Sequence, residues 1–205
     1  MGLLNPRRAK PELSEEALIA AAQGGDVSAF NRLVLSYQDM AYNAAYRILG
    51  DPDGAMDATQ EAFLNGYRAL PSYRGGSFKA WLLRIVTNCC YDQMRARQRR
   101  PSTPLDDLIE DDEHSALLTD GAESPEARLE RLDLDEAIQQ ALRTLPEDQR
   151  IAVIMSDIEG LSYEEIAAAT AANLGTVKSR LSRGRSRLRD YILEHKELIP
   201  LAARL

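Results

Sequence analysis

Apolar residues recur at Phe30, Leu33, Val34, Tyr37, Ala41, Ala44, Ala45 and Ile48, a helical spacing that predicts one buried face. The stretch GDPDG, Gly50 to Gly54, breaks that pattern. A second predicted helix carries Met56, Phe63, Leu64 and Tyr67 and ends before Pro71. The stretch SYRGGS, Ser72 to Ser77, reads as a loop. A third helix starts near Phe78 and runs through Trp81, Leu82, Ile85 and Val86 to about Arg99, with Pro101 beyond its end. Periodicity is then lost over residues 101–125, which carry three prolines and an acidic block and read as a linker with a transient helix at Leu105–Leu118. It returns with Leu129, Leu132, Ile138, Leu142 and Leu145, and Pro146 opens a further helix through Ile151, Val153 and Ile154. There is no internal repeat and no strand-like alternation. The predicted fold is all-α: two small helical domains joined by a flexible acidic linker. The boundaries are 1–13 for an N-terminal tail, 14–100 for the first domain, 101–127 for the linker, 128–192 for the second domain and 193–205 for a C-terminal tail.

The sharpest local signal lies in the second domain. Ser162 and Glu165 have the spacing of a capping box, in which each side chain satisfies the other's backbone amide. The short helix they open turns Ile166 and Ala167 inward. A small-residue turn, Thr170 to Ala172, leads to Asn173, a good N-cap for a longer helix. Short helix, tight turn and longer helix make a helix-turn-helix, whose second helix enters a DNA major groove. At ~100° per residue, Leu174, Val177, Leu181, Leu188 and Ile192 form an apolar stripe for the core. Thr176, Ser179, Arg180 and Arg183 fall roughly opposite, and Lys178, Arg185 and Arg189 cluster on the flank. A solvated basic face on an ordinary helix is the plain alternative, but it leaves the cap, the turn and the separate stripe unexplained.

Charge sharpens this picture. The chain has 205 residues and a formal net charge of −7, yet Asn173 to Arg189 holds six cations and no acid. Residues 101–127 hold nine acids and no Lys or Arg, so the acidity is concentrated in the linker. The N-terminal stretch lacks the apolar core of a signal peptide, and no run approaches the ~20 apolar residues of a membrane span. The expectation is a soluble cytoplasmic protein with no membrane insertion. Cys89 and Cys90, with only His114 and His195 for company, fit small hydrophobes in a helix better than a disulfide scaffold or a zinc set. No metal, no cofactor and no enzymatic activity are expected, because phosphate-cradling glycines and a nucleophile–His–acid set are missing.

The third helix adds a second basic segment, Arg95, Arg97, Arg99 and Arg100, with Tyr73, Phe78 and Trp81 at or beside the SYRGGS loop. Aromatics with cations suit unstacked bases, whereas Phe78 and Trp81 taken alone read as core. The stretch DATQEAFLNGYRALPSYRGGSFKAWLLRIVTNCCYDQMR resembles the second region of extracytoplasmic-function sigma factors. LPEDQRIAVIMSDIEGLSYEEIAAATAANLGTVKSRLSRGRSRLR resembles their fourth.

The resemblance implies a bacterial transcription-initiation subunit that joins core RNA polymerase. Asp57, Gln60 and Glu61 would meet the clamp of the largest catalytic subunit. The loop Tyr73, Arg74, Gly75, Gly76 and Ser77, with Asn88, would trap a flipped base of the single-stranded minus-ten element. Lys178, Ser179 and Arg183 would read the duplex minus-thirty-five element, with Thr176 and Arg180 on phosphates. The acidic linker would thread the polymerase's RNA-exit channel, and an anti-sigma factor is the expected regulator. The competing reading is a helix-turn-helix regulator that binds DNA without joining polymerase; it leaves the first domain's motifs unexplained.

Overall fold

A computed structural model of the chain describes residues 13–99 and 125–195. The body of the acidic linker, residues 101–124, and the Leu105–Leu118 segment lie outside the described residues, as do most of both tails. Every regular element among the described residues is helical.

Helices α1 (Glu15–Gln23), α2 (Val27–Leu49), α3 (Pro52–Ala69) and α4 (Phe78–Arg99) form the first unit. Their starts obey short-range chemistry. Ser14 Oγ accepts from Ala17 N, Asp26 Oδ1 accepts from Ser28 N at 2.8 Å, and Asp51 Oδ2 accepts from Gly54 N at 3.0 Å. Pro52 begins α3, where its missing N–H costs nothing. Periodicity does not predict helix α1, because nine residues give the pattern little room; the Ser14 cap and the acids Glu15 and Glu16 are its available signals.

Small side chains carry the packing. Ala41, Ala44 and Ala45 of α2 meet Ala55, Ala58 and Ala62 of α3, all at 1 % exposure or less. The periodic large residues of α3 do the reverse of what a buried stripe would: Met56, Leu64 and Tyr67 are exposed. The backbones can therefore approach closely, while Leu82, Leu83, Val86 and Cys90 of α4 fill the remaining space.

The second unit comprises α5 (Pro125–Arg143), α6 (Glu147–Val153), a π-helical turn (Ile154–Ile158), α7 (Tyr163–Ala169) and α8 (Leu174–Glu194). The capping box forms as the spacing requires: Glu165 N donates to Ser162 Oγ, and Ser162 N donates to Glu165 Oε2 at 2.8 Å. Ile166 is fully buried, with Ala169 rather than Ala167 as its buried companion. On α8 the predicted stripe holds at Val177 and Leu181 and partly at Leu188, but Leu174 and Ile192 are exposed because they lie at the helix ends. Gly184 takes a place in the contact instead: a Cβ there would meet Val153 Cγ2 at 2.9 Å, so α8 and α6 touch through the missing side chain. Buried apolar residues of the two units form one contiguous core, and α4 lies against α7.

Candidate nucleic-acid interface

Asn173 Oδ1 accepts from Thr176 N at 2.8 Å and fixes where α8 begins. From there three of the predicted duplex-contact residues, Thr176, Ser179 and Arg183, form a connected row. Ser179 Oγ donates to Thr176 O at 2.9 Å; Arg183 donates to Ser179 O at 3.2 Å and to Ser179 Oγ at 3.1 Å. Lys178 and Arg183 are exposed, and Thr176, Ser179 and Arg180 are half-buried. The row is pre-positioned on one helix face, with the guanidinium of Arg183 at its solvent edge.

Two of the segment's cations pair with acids on other elements. Arg185 grips Asp157 in bidentate fashion at 3.0 and 2.6 Å and reaches Ser156 Oγ at 3.2 Å and Tyr163 Oη at 3.4 Å. This fork ties α8 to the π-helical turn and to α7. Hydrogen bonds from Arg185 hold the Asp157 carboxyl below its ordinary range, and the same bonds raise the guanidinium's pKa. Arg180 Nη2 meets Asp148 Oδ2 at 2.5 Å. Tyr91 of α4 donates to the other oxygen of Asp148 at 3.3 Å. Burial, with Asp148 beside it, pushes the Tyr91 hydroxyl up to about 12. Lys178, Ser182, Ser186 and Arg189 line an open cleft beside Tyr163. The charge run alone does not reveal this division between structural and outward cations.

In the first unit, Gly75 and Gly76 both adopt φ of +93°, a conformation that other residues rarely tolerate, and this turns the loop back toward α4. Tyr73 Oη donates to Gly76 O at 2.7 Å, and its ring packs 5.3 Å from Trp81 and 5.8 Å from Phe78. Gln23 of α1 braces the loop by donating to Leu70 O at 3.1 Å and Tyr73 O at 3.0 Å. Arg74, Gly75, Gly76 and Ser77 are exposed. Phe78 is buried and Trp81 half-buried, so these rings support the loop. Asn88 is exposed on α4, about 16 Å of helix from Ser77 and on nearly the same face. Arg84, which no sequence pattern singles out, is exposed one turn before Asn88. Asp57, Gln60 and Glu61 are exposed together on α3, flanked by the exposed apolar side chains of Met56 and Leu64.

Cys89 and Cys90 are free and buried, and burial pushes the Cys90 thiol up to about 12. Among the described residues, no group of three or more His, Cys, Asp or Glu could hold a metal ion, and no helix is long and apolar enough to cross a membrane.

Comparison with known proteins gives two family matches: Sigma-70 region 2 over residues 33–100 and Sigma-70, region 4 over residues 135–188. The chain is 41 % identical over 170 residues to the "ECF RNA polymerase sigma factor SigE" of Mycolicibacterium smegmatis, covering 81 % of this chain and 62 % of that protein. It is 40 % identical to the "RNA polymerase sigma-H factor" of Pseudomonas aeruginosa, covering 83 % of this chain and 90 % of the relative. It is 38 % identical to the "ECF RNA polymerase sigma-E factor" of Escherichia coli K12, covering 88 % and 95 %. Among solved structures, the sigma factor RpoE of Bartonella quintana, in complex with the anti-sigma factor NepR, matches with TM-score 0.61 and 29 % identity, covering 82 % of this chain and 99 % of that one. CnrH, in complex with the cytosolic domain of CnrY, shares the fold at TM-score 0.64 and 23 % identity, covering 88 % and 98 %.

Proposed function

The chain belongs to the extracytoplasmic-function family of RNA polymerase sigma factors, and from that membership we propose how its two units divide promoter recognition. The second unit reads the minus-thirty-five element as duplex through Lys178, Ser179 and Arg183, with Thr176 on phosphate. The first unit takes the single-stranded minus-ten element at the Tyr73–Ser77 loop and Asn88, with Arg84 as a further cation along the strand's path. Asp57, Gln60 and Glu61, with Met56 and Leu64 beside them, meet the polymerase clamp. The chain contributes recognition and strand capture; the chemistry of RNA synthesis belongs to the polymerase.

The connected row Thr176–Ser179–Arg183 on α8 carries this reading most directly. An arginine held along a helix face near its N-terminal end can give two hydrogen bonds to a guanine edge, worth about 1–3 kcal/mol against a wrong base. In the loop, two positive-φ glycines leave the backbone open to a base, and the asparagine amide on the same side can both donate and accept.

Regulation by an anti-sigma protein is part of the proposal, supported by the NepR complex of the 29 %-identical RpoE. Run-off transcription with bacterial core polymerase on a library of promoter fragments tests the whole reading. Transcripts that require both core and this chain, and share two sequence elements, are expected. Tight duplex binding without core-dependent transcripts would instead favour a regulator acting apart from polymerase.

A further inference from the structure

We infer that the free chain holds itself closed through a latch on the C-terminal end of α2, and that the latch must open before both promoter elements can be engaged. The last four carbonyls of a helix lack donors within the helix and form its negative pole. At the end of α2 and its C-cap Gly50, four carbonyls face donors from the second unit, with Tyr46 O also accepting the cap bond from Gly50 N. Gln139 Nε2 donates to Tyr46 O at 3.3 Å and lies 3.5 Å from Arg47 O. Arg150 Nη1 donates to Ile48 O at 2.8 Å, and Arg143 Nη2 donates to Gly50 O at 2.7 Å. Two guanidinium groups thus sit on the negative pole of a helix in the other unit. Gly50 makes room for one of them: a Cβ there would meet Arg143 Nε at 2.9 Å. Arg47 pairs with Asp135 at 3.0 Å beside them.

A second contact lies at the start of α4. Lys79 Nζ meets Glu159 Oε2 at 3.0 Å and donates to Glu159 O at 2.7 Å. The Glu159 side chain is only 7 % exposed, so losing Lys79 would leave a buried carboxylate without its ion-pair partner.

Closure has a geometric consequence. The names of the two promoter elements place them roughly 25 base pairs apart, about 85 Å of duplex at ~3.4 Å per pair. A compact chain of this length has a radius of gyration of only about 17 Å, so the closed form reaches one element at a time. The 25 residues between Arg99 and Pro125 can extend to about 85 Å, enough for the units to part. Neither Lys79 nor Arg143 belongs to the proposed promoter or clamp contacts.

Small-angle scattering on the full chain tests the closure. Lys79→Glu sets a like charge against Glu159, and Arg143→Ala removes the donor to Gly50. The double variant Lys79→Glu/Arg143→Ala is expected to have a larger radius of gyration than the wild type at unchanged helicity. The exchange Lys79→Glu/Glu159→Lys should return it toward the wild-type value. A wild-type chain as extended as the double variant, or a double variant as compact as the wild type, overturns the latch.

A second measurement rests on the proposed polymerase role. Core polymerase must take the chain in the form that spans both elements, so the opened variant should bind it at least ~threefold more tightly. Expansion with unchanged or weaker binding overturns the inhibitory role. Failure of both proteins to bind core at all would count against the polymerase reading, while the scattering result would still decide the closure.

Discussion

Arg180 reaches across to α6 and meets Asp148 at 2.5 Å, although it shares a face of α8 with the exposed Arg183. The two cations should therefore weigh differently on DNA. Arg183→Ala is expected to cost about 1–3 kcal/mol in binding duplex minus-thirty-five DNA and to relax one base preference. Arg180→Ala should cost under about 1 kcal/mol, since its partner leaves it little for phosphate. Fluorescence anisotropy titrations at several salt concentrations separate the two, because a lost phosphate contact lowers the salt slope by ~1.

Asn88 and Arg183 lie in different units and should fail on different substrates. Asn88→Ala is expected to weaken binding of single-stranded minus-ten DNA several-fold more than duplex minus-thirty-five DNA, and Arg183→Ala to do the reverse. Equal losses on both substrates in both variants would contradict the division of labour.

The fork between Arg185 and Asp157 should leave a mark on acid stability. Hydrogen bonding from Arg185 lowers the Asp157 pKa below 3.8, outweighing the opposing effect of burial. The folded state thus favours the carboxylate. Its contribution is fully present above the unfolded-state value and is lost as pH falls through the lowered folded value. The pair is partly exposed, so no more than about 1 kcal/mol is at stake. The Tm difference between wild type and Asp157→Asn should hold steady from pH 7 to about 5 and shrink below about 4.

Gly184→Ala tests the touch between α8 and α6. Alanine is the better helix former by about 1 kcal/mol, so an open site would gain stability. Here the new methyl would sit 2.9 Å from Val153 Cγ2. The expected result is a loss of about 1–3 kcal/mol, read as a lower Tm by thermal denaturation.

How much of the fold is legible in the sequence depends on the range over which each signal acts. The capping box at Ser162 and the cap at Asn173 depend on residues three apart, and both form as spaced. The α8 stripe is legible where Val177 and Leu181 sit mid-helix, but not at its ends. In α3, Met56 and Leu64 give the helical period while alanines make the contact, since hydrophobic size marks burial only when the partner helix keeps its distance. The recruitment of Arg185 and Arg180 as internal struts depends on acids 28 and 32 positions away, a separation no local pattern records. The same holds for Gln139 and Arg143, which find the end of α2 more than 90 residues back along the chain.

Burial of the two cysteines gives a simple chemical expectation. With the Cys90 thiol pushed up to about 12 and Cys89 also raised by burial, little thiolate exists at pH 8. A thiol-reactive disulfide reagent should label neither residue in the folded chain and both after denaturation. Rapid labelling of the native protein would show that α4 opens readily.

The π-helical turn Ile154–Ile158 gives the chain one more residue per hydrogen-bonded loop than an α-helix uses. Two acids at its end act on different neighbours: Asp157 holds α8 through Arg185, and Glu159, just past the turn, holds α4 through Lys79. Deleting one residue here would restore ordinary helical phase and rotate the downstream helices by about 100°. Neither acid could then keep its partner. In an evolving lineage this short turn should therefore accept substitutions far more readily than a change of length.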